Sequence, residues 1–79
     1  MNLDKYQIEI ASDVNERDGI GIIVYFENEI ILEIFRDDTK RTRTVTILKQ
    51  NCELELLEEF IKLFKKEIPW EFIDYNEFE

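Results

Sequence analysis

The apolar residues of this 79-residue chain change period partway along it. Through roughly the first two-thirds the pattern is that of strands, with period-two alternation over Lys5 to Ala11 and β-branched and aromatic runs after it. From Leu54 onward they recur at steps of three and four. Period two puts every second side chain on one face of a strand, and period 3.6 stacks side chains along one stripe of a helix. Strands followed by a helix, instead of alternating with it, predict an α+β fold. So short a chain holds one domain, 1–79, and buries only about 60–65% of its unfolded surface, so each core residue carries a large share of the stability.

Lys5 to Ala11 alternates, with Tyr6, Ile8 and Ile10 expected inward. Ser12 to Gly19 is polar and acidic and ends in Asp-Gly, a loop signal. Ile20 to Phe26 is rich in β-branched and aromatic residues, which favour strands. Asn28 tolerates positive φ and suits a tight hairpin before a third strand over Ile30 to Arg36. Asp37 to Lys40 forms the next turn, its carboxylates placed to bond the local backbone, and Arg41 to Leu48 is the fourth strand. Leu54, Leu57, Ile61, Phe64 and Ile68 then trace the core stripe of an amphipathic helix, with Leu56, Phe60 and Leu63 as a second row beside it. Asn51 suits the N-cap, and Glu58 pairs with Lys62 at i, i+4. Pro69 disfavours helical angles at Ile68 and ends the helix. An aromatic tail follows from Trp70 to Glu79. The expected assembly is an antiparallel four-stranded β-meander with the C-terminal helix packed on one face.

Strict alternation puts Ile22, Val24, Phe26, Ile30, Leu32 and Ile34 under the helix. It leaves Ile23, Tyr25, Ile31 and Phe35 on the opposite face, which is too apolar for a fully solvated sheet. Exposed apolar patches of this kind mark interaction sites. Three occupants compete for it: the chain's own aromatic tail, a second copy in a homodimer, or a different protein.

Nineteen acidic residues against ten basic ones give a net charge of −9. That field disfavours direct contact with nucleic acid or anionic membranes and attracts basic partners. A hydrophobic fraction of 44% argues against wholesale disorder. The single Cys excludes an internal disulfide, no apolar run is long enough to span a bilayer, and the first residues lack a signal-peptide pattern, so a cytoplasmic protein is expected.

The chain has no His, which removes the commonest general acid–base and metal ligand and rules out Ser-His or Cys-His nucleophiles. Cys52 stands near the helix start, where the dipole favours thiolate, but Glu53 and Glu55 oppose it. The loop Asp13-Val14-Asn15-Glu16-Arg17-Asp18-Gly19 resembles a calcium loop only in part. Arg17 occupies a ligand position and the closing Glu is missing. No cofactor or metal and no enzymatic activity is expected. Arg36, Lys40, Arg41 and Arg43 cluster about the third turn, where Asp37 and Asp38 share the space, so they read as mixed-charge decoration. Arg43 keeps the parity of Val45 and Ile47 and so lies at the core edge.

Two stretches, Leu32-Glu33-Ile34-Phe35-Arg36-Asp37-Asp38-Thr39 and Leu56-Leu57-Glu58-Glu59-Phe60-Ile61-Lys62-Leu63-Phe64-Lys65-Lys66, look like small bacterial immunity proteins of polymorphic and contact-dependent toxin systems. The resemblance spans about half the chain and rests on composition and element order, so no site residue is carried over. It implies a cytoplasmic inhibitor that masks a toxin domain, often a nuclease, by tight binding. Independently, an acidic inhibitor suits a basic partner, because opposite potentials speed encounter. The expected partner-binding residues are the acidic loop (Asp13, Glu16, Asp18), the outer aromatics (Tyr25, Phe35) and the tail (Trp70, Glu71, Asp74). The rival readings are an acidic nucleic-acid mimic that inhibits a DNA-binding enzyme, and a self-associating structural module.

Overall fold

The computed structural model describes residues 3–13, 18–49 and 51–73. Four strands, β1 (Tyr6–Asp13), β2 (Gly19–Phe26), β3 (Glu29–Asp37) and β4 (Thr42–Ile47), precede one helix, α1 (Leu54–Glu67). The sheet is an antiparallel meander in the order β1-β2-β3-β4, so the fold is α+β. No helix among the described residues is long and apolar enough to cross a membrane.

Local chemistry sets the turns. Glu27 and Asn28 both take positive φ, 51° and 67°, the two-residue geometry whose twist matches an antiparallel hairpin. In the β3–β4 turn, Asp37 Oδ1 accepts the backbone N–H groups of Thr39 and Lys40, and Arg41 takes φ 57°.

The core lies between the helix and the two central strands. Ile22 and Val24 from β2, Leu32 and Ile34 from β3, and Phe60, Phe64 and Ile68 form one buried cluster. Each such side chain contributes roughly 1.5–3 kcal/mol of transfer free energy. Tyr6 closes one end, its ring edge-on to Phe60 at 5.3 Å and tilted against Phe26 at 5.4 Å.

Three expectations change here. First, α1 starts at Leu54 with Glu53 as its N-cap and no side-chain cap bond, so Asn51 does not cap it. Its buried line runs through Phe60 and Phe64, while Leu54 is well exposed and Leu57 and Ile61 only flank the core. The stripe is turned toward the expected second row because the two phenylalanines, the bulkiest apolar groups on the helix, take the centre. Second, Lys62 pairs with Glu59 at 3.3 Å, one turn position away from the expected Glu58. Third, the β2–β3 register slips between Val24 and Tyr25: Val24 faces Leu32 while Tyr25 faces Ile30. Ile31 is the extra residue of a β-bulge, which reverses the parity beyond it. Ile31 is therefore buried at 6% exposure, and Ile30 turns outward at 42%. The Ile31 carbonyl accepts the N–H of Leu48 and holds the chain as it leaves β4.

At the other end the helix stops as Pro69 predicts. Ile68 is extended (φ −111°, ψ 124°) and donates its N–H to the Phe64 carbonyl.

Candidate protein-binding surface

The strand register defines the sheet face away from the helix, row by row. Asp13, Gly19, Asp37 and Thr42 form the row beside the β3–β4 turn. Ala11, Gly21, Phe35 and Thr44 come next, then Glu9, Ile23, Glu33 and Thr46. Gln7, Tyr25 and Ile30 end the face near the β2–β3 hairpin.

Phe35 is not available on this face, contrary to the sequence expectation, because it is only 3% exposed. Its cross-strand partner is Gly21, and the ring lies against the space where a Gly21 side chain would stand. A Cβ at Gly21 would collide with the Ile34 carbonyl and crowd Phe35. Glycine here leaves room for the Phe35 ring beside β2. Tyr25 remains half-exposed beside Ile23 and the outward-turned Ile30.

The remaining expected contact residues gather at the turn end of the sheet, except Glu16 and Asp74, which lie outside the described residues. Asp13 ends β1 and is half-buried. The Asp18 carboxylate accepts the Thr39 hydroxyl at 3.2 Å, and its carbonyl accepts the Asp38 N–H at 2.6 Å. Trp70 and Glu71 are exposed next to this turn. Tyr25 is six residues along β2 from Gly19, about 20 Å away at the rise of a strand. One patch thus becomes two: an acidic, aromatic one at the turn end and a small apolar one near the β2–β3 hairpin.

Two of the bases expected as surface decoration, Arg36 and Arg43, build the turn end. Arg36 is buried, and its Nη1 donates to the Pro69 carbonyl at 2.6 Å. Its Nη2 donates to Asp38 Oδ2 at 3.1 Å. Its Nε is 2.8 Å from Asp38 Oδ1, but the N–H is out of line, so that contact is Coulombic and leaves the Nε proton without a hydrogen-bond acceptor. The same Oδ1 accepts the Ile73 N–H at 3.1 Å. A single buried ion pair therefore joins the end of β3 to the chain leaving the helix. Beside it, the Arg43 guanidinium lies 3.7 Å from the Trp70 ring centre and 4.1 Å from that of Phe72. Its Nε and Nη2 both donate to the Trp70 carbonyl. The sequence did carry a signal for Arg36, which continues the inward parity of Leu32 and Ile34.

Charge is segregated across the sheet. Residues 40–49, around the β4 edge, hold Lys40, Arg41, Arg43 and Lys49 and no acid. Residues 3–13, around the β1 edge, hold Asp4, Glu9 and Asp13 against Lys5 alone. Burial, followed by the nearby Glu53 charge, pushes the Cys52 thiol up from its ordinary pKa and so disfavours thiolate. Among the described residues no group of three or more His, Cys, Asp or Glu side chains is placed to hold a metal ion. No protein-family model, curated protein or solved structure matches the chain.

Proposed function

We propose that this chain is a small acidic protein-binding inhibitor of the immunity type, which neutralises a cognate bacterial toxin domain of basic surface by tight binding. The segregated charge carries the reading. The bases of the sheet are drawn to β4, so of its two edges the β1 edge is the acidic one. A basic partner approaching from a distance is steered to that side, and complementary potentials raise association rates more than they tighten the final complex. The turn-end patch supplies what a contact needs at short range. Trp70 is an exposed aromatic anchor held in place by Arg43 on the β4 side, with the exposed Glu71 next to it in the chain, while Asp13 and Asp18 stand at the β1–β2 side of the same end of the sheet. Aromatic anchors in a polar rim are the usual energetic centres of protein interfaces. The inhibitor acts by occupying its partner and performs no chemistry itself.

The test is co-expression of the tagged chain with the product of the adjacent gene, followed by capture at increasing salt. A stoichiometric basic partner whose toxicity is suppressed, and whose capture weakens as salt rises, supports the reading. A partner that is acidic, or toxicity that persists in the complex, refutes it.

A further inference from the structure

We infer that the free edge of β1 is a strand-addition site, which takes an extended, basic segment of a partner protein as a fifth strand of the sheet. The inference rests on the reading of a basic partner and names the element through which that partner is held. Among the described residues, β1 pairs only with β2, over eight consecutive residue pairs from Tyr6–Phe26 to Asp13–Gly19 with no bulge. Every second residue of such a strand turns its N–H and C=O to the open side, where they template another strand. Proteins usually block such an edge with a bulge, a proline or a charge pointing to the helix side. β1 has none of these: its helix-side residues are Tyr6, Ile8, Ile10 and Ser12, and Ile10 is 51% exposed beyond the reach of α1.

The chemistry of both faces selects the occupant. On the outer side, Gln7, Glu9, Tyr25 and Asn28 line an open groove of about 590 Å³ that continues over the edge to Ile8. An added strand with Lys or Arg at alternate positions sets those charges beside Glu9. Its intervening apolar side chains then lie along Ile8 and Ile10, extending the core past the helix. The opposite edge does not compete. β4 is flanked by Lys40, Arg41, Arg43 and Lys49 and repels the same segment. The β4 strand of a second copy has the right sign and pattern. Pairing of that kind is head-to-tail, however: it leaves a free edge at each end and brings together chains of net charge −9.

The experiment is an NMR titration of the ¹⁵N-labelled full chain. The probe is a blocked octapeptide of alternating lysine and valine, as long as β1, and the control is its glutamate–valine counterpart. The expected result is shift changes and slowed amide exchange along β1, with none on β4. The lysine peptide should bind about fivefold more tightly than the acidic one, the scale of one exposed charge pair. Glu9→Lys, an exposed substitution, should abolish that preference and leave the free spectrum folded. Changes centred on β4, or no protection of β1 amides, overturn the inference. So does concentration-dependent broadening of β1 without peptide, which would assign the edge to a second copy. If the peptide adds to β1 but co-expression yields no neutralised toxin, strand addition stands and the inhibitor reading falls. If a toxin is neutralised while β1 amides stay unprotected in the complex, the reverse holds.

Discussion

Asp38→Ala should be among the most damaging single substitutions of a polar residue in this chain. The carboxylate is fully buried, forms the ion pair with Arg36 and accepts the Ile73 N–H. Its removal strands a guanidinium in the interior with the Pro69 carbonyl as its remaining hydrogen-bond partner. Breaking a buried pair from one side costs about 3–5 kcal/mol, because the remaining charge stays desolvated. A domain of this length has a total stability of about 4–12 kcal/mol. At about 4–8 °C per kcal/mol, the melting temperature should fall by at least about 12 °C, and a marginal domain would not fold. Thermal and urea unfolding followed by circular dichroism give the number. The double variant Arg36→Met with Asp38→Leu should recover at least half the loss, since an apolar pair of similar volume often replaces a buried ion pair at little cost. A loss below about 1 kcal/mol for Asp38→Ala, or a double variant as unstable as the sum of the singles, would show that this pair is neither desolvated nor coupled.

Other consequences follow from the same geometry. Arg43→Ala removes the cation between Trp70 and Phe72 and both donors to the Trp70 carbonyl, so Trp70 fluorescence should shift to the red, with a stability loss of about 1–2 kcal/mol. Arg43→Lys should not restore the original spectrum, because an ammonium cannot stack flat between two rings. Gly21→Ala should cost more than about 2 kcal/mol in urea unfolding, since the added Cβ meets the fixed Ile34 backbone, not a side chain that can swing away. Cys52 should react slowly with a disulfide reagent at neutral pH and faster as pH rises toward its elevated pKa. Glu53→Gln should speed the neutral-pH reaction only modestly, because burial is the larger cause of the shift.

The sequence by itself determined the order and kind of the elements. Alternation over Tyr6–Ile10, β-branched runs over 20–26 and 30–36, Asn28 at the hairpin, Asp37 in the next turn and Pro69 after the helix are local features. Each acts within a few residues, through sterics or a single hydrogen bond, and each sets its element, although Ile10, expected inward, is exposed at the end of the helix-side row. What the tertiary structure decided depends on partners remote in sequence. The bulge at Ile31 exchanges the faces of Ile30 and Ile31, because register is fixed by fitting whole strands together and not by alternation within one. Phe35 leaves the candidate contact surface because it is buried, its ring against the place where a side chain would stand on Gly21, fourteen residues earlier. Arg36, which reads as one of four surface bases, becomes a buried anchor because Asp38 and the chain after the helix close around it. The acidic character of the surface was legible from composition. Which edge of the sheet is acidic and which basic was not, since only strand order places Glu9 and Arg43 on opposite sides.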